Sequence, residues 1–186
     1  HSLLFTDVKA DNRLLPAYEH LVIDEAHHLE EVASKHLGID LQYHDIVNTL
    51  TWMHKDSRSG QLPALKGRLV RSGDEKALLA AARTDPLYDK LNAIREQWEL
   101  LSEGLYQAAA QSAPGESGQS TLRLKPPALP ASWGELLLLE DNIYVTASDV
   151  LKQLDALANE LKDRQEELDI QGVLTDMGGS IKELYD

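Results

Sequence analysis

Thr84-Asp85-Pro86-Leu87-Tyr88-Asp89-Lys90-Leu91-Asn92-Ala93-Ile94-Arg95-Glu96-Gln97-Trp98-Glu99-Leu100-Leu101-Ser102-Glu103-Gly104-Leu105 decides the fold class. Leu87, Leu91, Ile94, Trp98, Leu101 and Leu105 recur at helical spacing, so one side of a long helix is apolar. Thr84 or Asp85 is the expected N-cap and Pro86 suits the first turn, where its missing N–H costs nothing. The helix is expected to run to about Gln111. Downstream, Ser132 with Glu135 three positions on forms a capping-box pattern. It opens a second long helix whose apolar face is Leu136, Leu139, Ile143, Ala147, Val150, Leu154, Leu157 and Leu161, ending near Leu168. Two long antiparallel helices with shorter partners make a bundle.

Between them, Ala113-Pro114-Gly115-Glu116-Ser117-Gly118 reads as a flexible break. Leu122 to Leu124 reads as a short extended piece, and Pro126-Pro127-Ala128-Leu129-Pro130 as a rigid elbow. Upstream, Ile46, Val47, Leu50 and Met53 form another helical stripe. Gly172 is expected to separate the second long helix from a last segment in which Gly178-Gly179 weakens any helix. No internal repeat is present.

Residues 1 to about 45 read differently, as an α/β pattern. His20-Leu21-Val22-Ile23 is a short apolar run of the length of a buried parallel strand, entered after Pro16 and left through acids. A helix is expected over 25–36, with Ala26, Leu29, Val32, Ala33 and His36 or Leu37 on one face. The fold expected is therefore mainly α: a helical, bundle-like domain over 43–186 with a short α/β piece over 1–42.

The chain has 186 residues, 42% hydrophobic, with no cysteine. Disulfides, thiolate metal sites and iron–sulfur ligation within these residues are excluded. No stretch approaches the length of a membrane span, and the N-terminus lacks the features of a signal peptide, so a cytoplasmic location is expected. The chain begins at His1, not Met, which suggests a start inside a longer protein. The net charge of −13 argues against a chain built mainly to grip nucleic acid. The charge is uneven, however: Ser57 to Gly73 contains no acid, while Arg58, Lys66, Arg68 and Arg71 contribute +4 and leave −17 on the rest.

Asp24-Glu25-Ala26-His27 follows the apolar run directly. A strand delivering two carboxylates at its C-terminal end is the geometry of a Walker B site. Asp24 there holds Mg²⁺, through water, and Glu25 orients or deprotonates the water that attacks a γ-phosphate. His27, close to the phosphates, is placed to report their state. The tetrapeptide arises by accident in roughly one chain in a thousand of this size, so the preceding strand-like run matters. Two other readings compete. Asp24 and Glu25 cap a helix and favour its dipole, or His27, His28 and Glu31 bind a metal, against which stands the absence of HExxH spacing.

Leu21-Val22-Ile23-Asp24-Glu25-Ala26-His27-His28-Leu29-Glu30-Glu31 resembles motif II of the DinG group of bacterial DNA helicases, relatives of XPD. His1-Ser2-Leu3-Leu4-Phe5-Thr6-Asp7 resembles the segment just upstream of that box. The motif resemblance covers residues 1–37. It implies that 1–42 is a fragment of the first motor domain and that 43–186 is the helical arch that follows motif II. It also implies an ATP-dependent helicase that uses Mg²⁺ and ATP and acts on single-stranded DNA in repair or replication. The rest of the family's pattern is missing. There is no G-x-x-x-x-G-K-[ST] loop, and Thr146-Ala147-Ser148 lies inside an amphipathic helix where motif III needs a buried strand. This piece by itself is therefore expected to be inactive as an ATPase. In iron–sulfur members the cluster cysteines precede the segment where this chain begins, which leaves a cluster in the whole protein undetermined.

Lys66, Arg68 and Arg71 are candidates for tracking a DNA backbone, with a solvated helix face as the plain reading. Trp52, Trp98 and Trp133 are candidate stacking platforms, Trp98 being better placed for the core. His20, His36, His44 and His54 show no ligand spacing. The rival to the helicase reading is a non-catalytic helical module whose acidic surface docks a partner, with the DEAH match fortuitous.

Overall fold

The computed structural model describes residues 1–38, 41–112, 124 and 129–185. They fall into two compact units, His1–Gln42 and Tyr43–Asp186. Among the described residues the fold is helical, and no helix is long and apolar enough to cross a membrane.

The first unit contains α1 (Ser2–Lys9), a 3-10 turn at Ala26–His28 and α2 (Leu29–Leu37), with α1 packed on α2. Its organising residue is Asp7, only 1% exposed. The Asp7 carboxylate Oδ1 accepts the amide N–H groups of Leu14 (2.7 Å) and Leu15 (3.0 Å). Its carbonyl accepts the Asn12 N–H at 2.8 Å. Asp11 and Asn12 take φ of 54° and 57°, the left-handed region that Asp and Asn tolerate best among residues with a Cβ. One carboxylate thus fixes the turn after α1, a helix the α/β reading had not separated out.

The strand expected at 20–24 does not form; these residues follow an irregular path without a ladder partner. A strand needs neighbours for its N–H and C=O groups, and no strand occurs among the described residues beyond the isolated Asp56–Ser59 bridge. Val22 is 93% exposed as a result. The helix expected from residue 25 starts regular α geometry only at Leu29, because Glu25 is left-handed and the 3-10 turn intervenes.

The second unit is built on α6 (Asp85–Ser112) and α7 (Trp133–Leu161). They run antiparallel: Lys90 pairs with Asp149, Leu87 and Leu157 line one small cavity, and Gly104 faces Leu136. A Cβ on Gly104 would stand 2.5 Å from the Leu136 Cδ2, so the missing side chain lets the helices approach there. Around the base of this hairpin pack α3 (Tyr43–Met53), α4 (Gln61–Ser72), α5 (Glu75–Ala82) and α8 (Gln171–Tyr185). Leu50, Leu65, Leu91, Leu154, Ile170 and Met177 are fully buried in the resulting core. Each such side chain contributes roughly 1.5–3 kcal/mol relative to exposure.

Several local expectations are corrected. Ser132 occupies the N-cap of α7 but takes helical angles and makes no side-chain cap, so the Ser132–Glu135 box does not close. The side-chain cap that does form lies elsewhere: Asp74 Oδ2 accepts the Ala77 N–H at 2.9 Å and starts α5. Helix α7 stops at Leu161 rather than near Leu168. A 3-10 turn at Lys162–Arg164 follows, and Asp169 reverses the chain at φ 53°. Arg164 secures this corner through Asp74 (2.7 Å) and Glu167 (3.0 Å). The break at 113–118 lies outside the described residues, as does most of the 122–124 segment and of the 126–130 elbow.

Gly172 does not interrupt the last helix, and α8 runs straight through Gly178-Gly179. Two glycines cost about 1 kcal/mol each against Ala, while Val173, Met177 and Ile181 are buried on one face and outweigh that cost. A Cβ at Gly178 or Gly179 would meet nothing within 4 Å. Gly178→Ala and Gly179→Ala are each expected to stabilise the chain by roughly 0.5–1 kcal/mol. Urea unfolding checks this, and a loss of stability in either variant contradicts the packing described.

Acid sensitivity is built into the second unit. His54 is buried and stacks on Tyr88, with ring centroids 4.5 Å apart and planes at 11°. Burial pushes its imidazole below the usual value; the Arg95 charge adds to this, while a hydrogen bond with Asn92 and the charges of Asp56 and Asp89 oppose it. The folded chain therefore prefers neutral His54. As pH falls below about 6.5 the unfolded chain takes the proton first, and stability declines. The Asp74 carboxyl is held below its ordinary range by the Arg164 guanidinium, and that of Asp149 by Lys90. Their contributions persist above the unfolded carboxylate range and disappear as pH falls through the depressed values. The expected profile is two-stepped: a shallow loss beginning near pH 6.5 and a steeper one below about pH 4. His54→Gln should remove the first step only, as read from urea midpoints between pH 3 and 8.

Candidate functional site

The apolar run Leu21-Val22-Ile23 leads directly into Asp24 and Glu25, both exposed. The His1 Nε2–H donates to the Asp24 carbonyl oxygen at 2.6 Å, which ties the start of the chain to the motif. Asp24 Oδ1 accepts the Glu25 amide at 2.9 Å. Glu25 takes φ 49° and ψ 46° and turns the chain into the 3-10 segment. Its Oε2 lies 3.2 Å from His27 Nδ1, and the His27 and His28 rings are 4.0 Å apart. Glu25 and His27 are therefore in direct contact, while the Asp24 carboxylate is held on the Glu25 amide.

His1, Leu4 and residues 21–25 line an open cleft of about 430 Å³. It contains two carboxylates and neither Lys nor Arg. Such a surface suits a hydrated cation and its water, and brings no Lys or Arg to a triphosphate. His28 Nδ1 stands 3.9 Å from Glu31 Oε2. Among the described residues, no group of three or more His, Asp or Glu side chains is arranged to hold a metal ion.

The basic island falls around and within α4. Lys66 pairs with Asp85 and lies 5.8 Å from the Tyr88 ring centroid. Arg68 donates to the Asp169 carbonyl and sits 3.5 Å from its carboxylate. Arg71 is exposed. The absence of acids from 57–73 thus does not carry into space: acids from α6 and from the corner before α8 reach two of the island's cations. Only the tertiary arrangement brings them together.

Trp98 is half-buried, and its indole N–H donates to the Tyr43 carbonyl at 3.2 Å. Trp133 is partly covered and Trp52 is 70% exposed. Thr146-Ala147-Ser148 lies within α7.

Fold and site define a mainly helical protein with an exposed Asp-Glu pair in a small separate unit. The chain is 36% identical over 72 residues to the 3'-5' exonuclease DinG of Bacillus subtilis (strain 168). Those residues are 39% of this chain and 8% of the relative. No protein-family model and no solved structure matches the chain.

Proposed function

We propose that the chain is part of a DinG-like, ATP-dependent DNA helicase that couples ATP hydrolysis to unwinding in the cytoplasm. The observation that carries this reading is the Leu21–Glu31 stretch, an apolar run ending in Asp24-Glu25, in a chain similar over 72 residues to a DinG protein. The solvent-exposed run Leu21–Val22 supports it, being what a sheet strand becomes when its neighbours are elsewhere. In this reading residues 1–42 belong to the motor around motif II and 43–186 form the arch. Asp24 would hold Mg²⁺ through water, Glu25 would position the attacking water, and His27 would hold the Glu25 carboxylate in place. Bound Mg²⁺ would polarise the phosphates and offset their charge. The cradle for the triphosphate would come from residues beyond the cleft described, since that cleft has no Lys or Arg.

Lys66, Arg68 and Arg71 would face single-stranded DNA, with Lys66 and Arg68 exchanging Asp85 and Asp169 for phosphates. Contacts of this kind read the backbone and weaken as salt rises. The test is the full-length protein. It should turn over ATP only with Mg²⁺, faster with single-stranded DNA, and separate strands of a tailed duplex. A folded full-length protein without DNA-stimulated turnover overturns the reading. The 186-residue chain alone should show none.

A further inference from the structure

Helix α7 is apolar on two sides. One side buries Leu136, Val150, Leu154 and Leu157 in the bundle. The opposite side carries Leu137, Leu138, Tyr144 and Val145, which are 47, 64, 69 and 66% exposed. Their spacing of i, i+1, i+7 and i+8 places them on one face two turns long. Scattered surface leucines need no explanation, but two exposed apolar pairs aligned on the outer face of one helix point to a contact surface.

Charge indicates what fits there. Asp141 lies four residues from both Leu137 and Val145, so it sits between the two apolar pairs, and it is exposed. Glu135 and Glu140 flank the patch on the same helix. Glu99 and Glu103 are exposed on α6, which runs beside this end of α7 through the Gly104–Leu136 approach. Among the described residues of 96–112 and 129–151 there is no Lys or Arg, and none of these five acids is in an ion pair. Among the described residues of these two helix ends, no cation offsets the acids that surround the apolar side chains.

Four kinds of occupant can be compared. Nucleic acid and anionic lipid are repelled by the acids. A second copy docking face to face would set Asp141 against its own counterpart, because a two-fold contact repeats the same patch on both sides. A neutral apolar segment would desolvate Asp141 without pairing it. A cationic amphipathic helix supplies apolar side chains for both pairs and a Lys or Arg for the acid between them. We propose that this face of α7 docks a cationic amphipathic helical segment of a partner protein. The proposal stands on the second unit alone and is independent of the nucleotide reading.

The experiment titrates the 186-residue chain into a fluorescein-labelled 16-residue peptide with Leu at helical spacing on one face and Lys elsewhere. Saturable binding is expected, with NMR shift changes centred on Leu137, Leu138, Tyr144 and Val145. Leu138→Ser/Val145→Ser, both exposed and neutral to the fold, should weaken binding by about tenfold or more, with circular dichroism unchanged. Asp141→Lys should also weaken it and favour a control peptide with Glu in place of Lys. Shift changes elsewhere, or affinity unchanged in both variants, overturn the proposal. So do single-stranded DNA, anionic vesicles or self-association that occupy this face more tightly than the cationic peptide does.

Discussion

On the proposed helicase function, Glu25→Gln in the full-length protein is expected to lower ATP hydrolysis by about 10²–10⁴-fold while leaving nucleotide binding nearly intact. The substitution keeps the size and shape of the side chain and removes its charge and basicity. Glu25 is exposed, and nothing in the fold depends on its carboxylate except the 3.2 Å contact with His27, which an amide oxygen can retain. Gln accepts the left-handed backbone at this position about as well as Glu, so the turn into the 3-10 segment should survive. Loss of turnover then reports chemistry and not folding. Asp24→Asn should differ by raising the Mg²⁺ concentration needed for turnover. Steady-state hydrolysis and equilibrium nucleotide binding, measured together, decide the matter. Hydrolysis in Glu25→Gln within about threefold of the unmodified protein would return Asp24-Glu25 to the plain role of helix-start acids.

The second large effect concerns the bundle. Leu154→Ala is expected to destabilise the chain by roughly 2–5 kcal/mol. Leu154 is fully buried in the core cluster on the inner face of α7, so truncation removes transfer energy and leaves a cavity. Against a typical total stability of about 5–15 kcal/mol, that is a large fraction. Val145→Ala, on the same helix but 66% exposed, should change stability by no more than about 0.5 kcal/mol. Urea midpoints at fixed m-value provide the comparison. A Leu154→Ala loss below about 1 kcal/mol would mean that α6 and α7 do not close on one another as described.

The two long helices were legible because amphipathic periodicity is a local property. Leu87, Leu91, Ile94 and Leu101 were placed on one stripe from spacing alone, and all four are buried. Leu105 belongs to the same stripe yet is 37% exposed, because periodicity says which way a residue faces and not how much packs on it. Ser132-Glu135 had the residues of a capping box without the backbone angles that close it. Asp74, not singled out from the sequence, caps α5 and also meets Arg164 in the turn that follows α7. At the candidate site the acid pair was visible as a motif. The left-handed turn at Glu25, its contact with His27 and the tie from His1 to Asp24 were not, since none has a sequence signature.

By itself, then, the sequence determined the helical class, the inward faces of α6 and α7, and an apolar run ending in two carboxylates. These follow from residue type and spacing within a few turns of chain. Tertiary structure alone decided the rest. Gly178-Gly179 stays helical because neighbours bury the residues around it. Residues 20–24 remain irregular because a strand exists only through hydrogen bonds to another strand. Lys66 meets Asp85 across 19 residues, Arg164 meets Asp74 across 90, and Arg68 meets Asp169 across 101. No local pattern encodes such pairings, so a basic island in the sequence becomes, once folded, a surface where acids from distant elements already hold two of its cations.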